Sequence, residues 1–322
     1  MENVNELKKD MPVQSEDGPS NLNSFCTVAI GRHGYEAALL TESIRLQSDK
    51  KIYMIADEEA LDCLEEDIPD NINITVISEK EKHDRRKEYT SSPDKIWPNC
   101  PRLTKSWWSP ESQSYKMDVM SKAIKESGNT LFLDADVILV NPVSSNFKSN
   151  LVLSRHKTVC GGAYIFSDDP QFPEDWRSLY KKELSAELKE GDGPYNCGKC
   201  SDIPMTKLKG DRLYSLFGEG HNYGPWNAPV PYLGAKIDLI LKNLGFDVSD
   251  DIYINGRTGR SKMVSFHVHL RPKEEQADES YNLVRSLYEC LMRSTKEAHG
   301  KLMEYICQKY LPNAIKLKLN QA

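Results

Sequence analysis

The sequence has no run of apolar residues long enough to cross a bilayer, and its first ten residues, Met-Glu-Asn-Val-Asn-Glu-Leu-Lys-Lys-Asp, contain no apolar signal core. Both absences lead to the expectation of a cytoplasmic protein without a transmembrane segment. A basic excess is also missing: 42 Lys and Arg stand against 48 Asp and Glu, a net charge of -6. That balance argues against a general nucleic-acid binder, whose affinity comes from neutralising phosphates. Nor is there a disulfide framework, because the eight cysteines are scattered over 322 residues. Cys26 and Cys160 lie in apolar, strand-like contexts and read as core. Only Cys197-Gly-Lys-Cys200 has a suggestive spacing, and no second CxxC or close His pair completes a zinc set. The residues before it, Gly191-Asp-Gly-Pro194, read as loop, so the pair reads as free thiols in a turn. No internal repeat and no interdomain linker interrupts the chain.

What the sequence does have is a pair of acids inside an apolar run. In Asn129-Thr-Leu-Phe-Leu-Asp-Ala-Asp-Val-Ile-Leu-Val140, Asp134 and Asp136 are fenced by Leu131, Phe132 and Leu133 before them and by Val137, Ile138, Leu139 and Val140 after. The spacing predicts one buried strand through residues 129–140. Carboxylates at i and i+2 of an extended chain point to the same side and repel unless a cation lies near them. A hard divalent ion with oxygen ligands answers that repulsion, and such ions usually arrive with substrate phosphates.

Residues 1–23 are polar and aperiodic and read as a disordered tail. From Phe25 the chain alternates strand and helix. Strands are expected at 25–30, 51–56 and 72–77, with helices at 35–46 and 58–65, the signature of βαβ units with a parallel sheet. Residues 78–112 carry four prolines and Trp97, Trp107 and Trp108, and read as a long functional loop. A helix over 114–125, with Met117, Met120, Ser121 and Ile124 on one face, leads into the Asp134 strand. The acids therefore fall at the carboxyl end of a parallel strand, where open α/β sheets bind ligands.

Further along, a strand over 159–166 enters through Gly161-Gly162, where missing side chains let another group approach the backbone. A helix is expected over 176–189, a structured loop holding His221, Trp226 and Tyr232 over 191–235, and a strand over 263–270. In that last strand Ser265, His267 and His269 share one face, followed by Arg271-Pro272-Lys273. Residues 273–322 read as a mostly helical C-terminal extension with Leu283, Leu287, Leu291, Leu302 and Ile306 for packing. Two carboxylates and one imidazole, from His267 or His269, suit Mn²⁺ or Mg²⁺ with diphosphate oxygens in the remaining positions. Arg271 and Lys273 would then stabilise a departing diphosphate.

These residues resemble a family. Leu131-Phe-Leu-Asp-Ala-Asp-Val-Ile-Leu-Val-Asn-Pro142 is similar to the DxD segment of nucleotide-sugar glycosyltransferases of the GT-A fold, nearest the glycogenin-like and bacterial galactosyltransferase group. Further likenesses follow in order. Thr27-Val-Ala-Ile30 with Tyr35-Glu-Ala-Ala-Leu-Leu-Thr-Glu-Ser-Ile44 resembles the family's first strand and helix, and Tyr115-Lys-Met-Asp118 the place of a basic donor contact. Gly161-Gly-Ala-Tyr-Ile-Phe166, Gly224-Pro-Trp-Asn227 and Met263-Val-Ser-Phe-His-Val-His-Leu-Arg-Pro272 resemble its later elements. The likeness spans roughly residues 25–272, and the last 50 have no counterpart.

The resemblance implies a Rossmann-like, mainly parallel sheet flanked by helices over 24–272, with the C-terminal helical extension packed on the same domain. It implies a metal-dependent transfer of a hexose or related sugar, with retention, from a nucleoside diphosphate, UDP above all, to a glycan, protein or small-molecule acceptor. Asp134, Asp136 and one of His267 and His269 would hold Mn²⁺ or Mg²⁺. Thr27, Ala29, Tyr35, Ala135, Gly161 and Gly162 would line the donor. Lys116 and Arg271 would support the diphosphate, and Asp211, in Lys209-Gly-Asp-Arg212, would contact the transferred sugar or act as base. Trp97, Trp107, Trp108 and Trp226 offer aromatic faces to a sugar acceptor. Two rivals stand beside this reading. A sugar-phosphate nucleotidyltransferase needs a Gly-rich basic loop after the first strand, and Gly31-Arg-His-Gly34 is too short for one. A non-catalytic nucleotide-sugar-binding module of the same fold would tolerate loss of the metal ligands.

Overall fold

The computed structural model describes residues 22–64, 68, 70–89, 109–143, 147, 149–156, 159–185, 214–223, 244–246, 252–256, 259–267, 287–288, 291–292 and 294–310. Its first half follows the expected alternation. Strand β1 is Ser24–Ala29, helix α1 Gly34–Gln47, β2 Lys51–Asp57, α2 Glu58–Leu64 and β3 Ile72–Ile77. Helix α3, Glu79–Tyr89, and α4, Pro110–Ser127, precede β4, Thr130–Leu133, and β5, Val137–Leu139. Then come β6 Leu151–His156, β7 Val159–Ser167, α5 Phe172–Ser185, β8 Ser215–Leu216, β9 Leu244–Phe246, β10 Ile252–Gly256, β11 Gly259–Lys262, β12 Ser265–His267 and α6 Glu297–Lys309.

Seven strands form one sheet in the order β3-β2-β1-β4-β7-β6-β8. The pairs β1/β4 and β2/β3 are parallel, β6/β7 is antiparallel and β6/β8 parallel. The fold is therefore the expected α/β class, a Rossmann-like, mainly parallel sheet flanked by helices. Strands β9, β10 and β11 make a separate antiparallel sheet, and β5 and β12 a two-stranded one.

By its contacts the chain divides into two compact units: 1–26, 80–132 and 144–218 in the first, and 27–79, 133–143 and 219–322 in the second. In the first unit, α4 begins with Ser109, whose hydroxyl caps Ser112 N–H, and with Pro110 at the first helical position. Asp118 on α4 accepts from Arg85 on α3 at 2.9 Å and from Arg177 on α5 at 2.5 Å. The Asp118 carboxylate and the Tyr89 oxygen outweigh burial and hold the Arg177 guanidinium above its ordinary pKa. Leu22 is buried, and Asn23 bonds to Ser127 and Asn129, so packing starts just ahead of β1.

In the second unit, one apolar cluster joins Leu39, Ile138, Val140, Tyr223, Ile254, Phe266, Leu287, Leu291, Leu302 and Ile306. Four of the packing positions expected in the C-terminal extension are in it, while Leu283 lies outside the described residues. Helix α6 is tied down further by His299, fully buried, whose Nδ1 meets Ser294 Oγ and whose Nε2 donates to the Val140 carbonyl. A second cluster is built of small residues, Ala29, Ala37, Ala38, Ala56, Ala60 and Ala135, with Met54 and Leu64. Small side chains let α1 and α2 sit close over the ends of the strands.

Several expectations change. Residues 129–140 are not one strand: β4 stops at Leu133 and β5 starts at Val137. The physical reason is the two acids. Burying Leu131, Phe132 and Leu133 contributes about 1.5–3 kcal/mol each. Carrying two unpartnered carboxylates on into the sheet would cost several kcal/mol per ion, whereas in the turn Asp134 keeps partial exposure and the buried Asp136 meets His267. The segment 78–112 is not all loop, since α3 fills 79–89. Its Glu-Lys-Glu-Lys-His-Asp-Arg-Arg-Lys-Glu-Tyr sequence has no apolar stripe, and it is held by ion pairs and by Tyr89 against Tyr180. The helix expected to begin at Trp176 begins at Phe172; of the strand expected over 263–270, β12 forms 265–267, and 268–270 lie outside the described residues. The sheet β9-β10-β11 carried no strong alternation and was not expected.

Candidate functional site

The site is built at the turn after β4. Val137 N–H donates to the Asp134 carbonyl at 3.0 Å, closing a four-residue turn, Asp134-Ala-Asp-Val137. Ala135, nearly buried in the alanine-rich cluster with Ala29, pins the middle of the turn. The flanking acids differ: Asp136 is buried, Asp134 half-buried. The acids thus stand at the carboxyl end of a parallel strand, as the chain order implied.

Strand β5 then pairs antiparallel with β12, His267 opposite Val137, Phe266 opposite Ile138 and Ser265 opposite Leu139. That register sets His267 beside Asp136, and its Nε2 lies 2.8 Å from Asp136 Oδ1. Both side chains are buried. Alternation along β12 sends Phe266 into the apolar cluster and leaves Ser265 and His267 on the opposite face. A short segment covers that face. Gly220 O accepts from Val264 N–H at 2.8 Å and from Ser265 N–H at 3.2 Å, Tyr223 N–H donates to Ser265 O, and His267 N–H donates to Tyr223 O. Gly220 lies so near the chain that a Cβ there would stand 1.8 Å from Lys262 O. Between them Asn222 N–H donates to Ser265 Oγ at 2.7 Å, and Asn222 Oδ1 is 2.9 Å from His267 Nδ1.

A second polar group follows β1. Gly31, at φ +57, opens a single 3₁₀ turn through His33, and its N–H donates to Asp57 Oδ1 at 2.9 Å. The same oxygen accepts from Ala60 N–H at the start of α2. His33 Nδ1 is hydrogen-bonded to the buried Glu36 carboxylate. Burial opposes charge on His33, yet Glu36, helped by the fields of Asp136 and Asp134, raises its pKa above the ordinary value. His221, one residue before Asn222, is pushed down to about 4 by desolvation alone.

The donor set suits a hard cation that brings further oxygens with it: one carboxylate and one imidazole in contact, with a second carboxylate in the same turn. Among the described residues no group of three or more His, Cys, Asp or Glu side chains is placed to hold a metal by itself. Asp136, His267 and Asp134 are the described residues that could hold such an ion with other oxygens completing its shell.

Other expected site residues fall as follows. Thr27 is buried in β1, and its hydroxyl has no hydrogen-bond partner among the described residues. Tyr35 packs edge-on against Tyr310 at 5.9 Å, and its carbonyl accepts from the Tyr310 hydroxyl, so this ring helps fasten the C-terminal residues. Lys116 is buried, with Nζ 5.6 Å from the centre of the Phe132 ring in β4. Gly161 pairs with Ser154 next to a register shift in β6/β7, and Gly162 is buried in the same strand. Asp211, His269, Arg271, Trp97, Trp107, Trp108, Trp226, Cys197 and Cys200 lie outside the described residues. Asn222, Asp57 and the His33–Glu36 pair escaped the sequence reading. The signal for Asn222 was slight: a polar residue between His221 and Tyr223 in a glycine-rich stretch.

No family model matches the sequence, and no curated protein does. Among solved structures the chain is similar to the glycosyltransferase GlyE of Streptococcus pneumoniae TIGR4, with a TM-score of 0.46 and 11% identity over 90% of this chain. The match covers 66% of that protein's chain, just under two thirds. No helix among the described residues is long and apolar enough to cross a membrane.

Proposed function

We propose that this chain is a metal-dependent glycosyltransferase that moves a sugar from a nucleoside diphosphate, with UDP as the first choice, to a carbohydrate or glycosylated acceptor. The observation that carries the reading is the 2.8 Å contact between Asp136 and His267, made at the carboxyl end of a parallel strand. Asp136 and His267 hold Mn²⁺ or Mg²⁺, and Asp134 in the same turn adds a second carboxylate. The ion, when bound, neutralises the charge growing on the leaving diphosphate. A sugar-diphosphate bond is already activated, so positioning and electrostatics supply most of the barrier reduction. Lys116 and Arg271 support the diphosphate, Asp211 meets the transferred sugar, and Thr27, Ala29, Tyr35, Gly161 and Gly162 line the donor. Retention of the anomeric configuration belongs to the same proposal.

The nucleotidyltransferase alternative needs free backbone N–H groups after β1 to cradle a triphosphate. Gly31 N–H is instead taken by Asp57. A non-catalytic module of the same fold is separated by experiment. The parent chain, given UDP-sugars and Mn²⁺, releases UDP, and Asp136→Ala does not. Release by Asp136→Ala at the parent's rate sinks the metal reading. A panel of nucleotide-sugars, with and without Mn²⁺, raises the melting temperature for the true donor, since a ligand bound only by the folded state stabilises it.

A further inference from the structure

Asn222 is the sole non-glycine residue with positive φ among the described residues, at +53, and it is fully enclosed. Left-handed backbone is unfavourable for a side chain with a Cβ, although asparagine bears it better than most. Such a conformation persists where neighbours over-determine it, and it concentrates at functional sites. The neighbours here are explicit. Gly220 and Tyr223 fasten the segment to the strand residues 263–267 on either side, and the Asn222 N–H is taken by Ser265 Oγ. The bend between these ties directs the amide oxygen to His267 Nδ1. A glycine at 222 would meet the backbone requirement with less strain, but it offers no acceptor to the ring.

An imidazole bound on one nitrogen has its other nitrogen decided for it. With Nδ1–H donated to Asn222 Oδ1, the ring is fixed in rotation, and its Nε2 is turned to one partner. That Nε2 is the atom facing Asp136 Oδ1. We infer that Asn222 is a positioning residue for metal capture: it accepts Nδ1–H and fixes the His267 ring, so that Nε2 and Asp136 Oδ1 are aimed at one divalent cation, which replaces the proton they share without it. A metal-bound histidine ordinarily gives its other N–H to an oxygen that orients it, and losing that oxygen costs roughly 10–100-fold in metal affinity. The inference rests on the metal reading above, and the experiment separates the two.

The full chain and its Asn222→Ala, Asn222→Gly and Asn222→Asp variants are titrated with Mn²⁺ alone, free ion being read by electron paramagnetic resonance. Asn222→Ala and Asn222→Gly bind Mn²⁺ roughly 10–100-fold more weakly. Asn222→Asp keeps an acceptor for Nδ1–H and restores parent-like affinity. Gly relieves the backbone, so if Ala fails to fold, the Gly and Asp pair carries the comparison. Nitrogen-15 spectra of the His267 ring in the metal-free chain give a second readout: Nδ1 carries hydrogen in the parent and in Asn222→Asp, and loses it in Asn222→Gly, where the proton stays on Nε2 toward Asp136. If Nδ1 carries no hydrogen in the metal-free parent, or if Asn222→Gly binds Mn²⁺ as tightly as the parent, the role assigned to Asn222 is wrong. A parent with the Nδ1–H form that binds no Mn²⁺ overturns the metal reading and, with it, the capture role, while leaving the orientation of His267 by Asn222 standing.

Discussion

His267 meets Asp136 because His267 is the register partner of Val137, the residue directly after that aspartate. A slip of one residue between β5 and β12 would turn His267 to the apolar side and Phe266 to the acid. The contact is therefore a property of strand pairing, and the pairing is held by the Phe266 side of β12 in the apolar cluster.

Replacing the histidine tests this directly. On the proposed metal reading, His267→Ala removes one of the two contacting donors, and several kcal/mol of charge stabilisation correspond to roughly a 100-fold or greater loss in turnover. Initial rates of Mn²⁺-supported UDP release measure it. Turnover within a factor of two of the parent would show that Nε2 is not a ligand.

Gly220→Ala should weaken the whole site without touching an acid or an imidazole. Its Cβ would sit 1.8 Å from a backbone oxygen, Lys262 O, which cannot swing away as a side chain would. Overpacking of this kind costs about 1–3 kcal/mol. Urea unfolding gives the value, and an unchanged midpoint would mean that the segment 220–223 shifts freely.

Two histidines give the stability opposite slopes in different pH ranges. His221 has a folded pKa lowered from 6.5 to about 4, so the unfolded chain binds the extra proton between those values. Its contribution is complete above 6.5 and is lost as pH falls toward 4. His33 is raised above 6.5, so its contribution is complete below 6.5 and is lost as pH rises through the folded value. Melting temperatures of His221→Gln against pH should lose part of the acid-side fall, and those of His33→Gln part of the alkaline-side fall. Curves parallel to the parent's in both windows would refute the assignments.

Asp118→Asn should destabilise the first unit in a salt-dependent way. It leaves Arg85 and Arg177 without the carboxylate that separates their charges. Removing one partner of a partly buried charged network costs about 1–3 kcal/mol, and added salt screens part of the repulsion that remains. A loss that is the same at low and high salt would place the effect in packing instead.

Much of the fold was legible in the chain. Strand β3 falls where its Ile-Asn-Ile-Thr-Val-Ile run predicts, and α1, α2 and β2 come within a residue or two, because apolar periodicity is a local property that burial enforces. Helix α3 was not legible, since its partners, Asp118, Tyr180 and Lys181, lie far along the sequence and it has no apolar face of its own.

The sequence by itself determined that two acids interrupt a buried apolar run, where a carboxylate without a partner is costly. It also determined that Ser265 and His267 share a face, because a strand alternates. Which group stands beside Asp136 was decided only in three dimensions, by the register of β5 with β12. Asn222 belongs wholly to that second kind: its worth comes from a left-handed bend held by Gly220, Tyr223 and Ser265, and no local pattern encodes where such a bend will aim an amide.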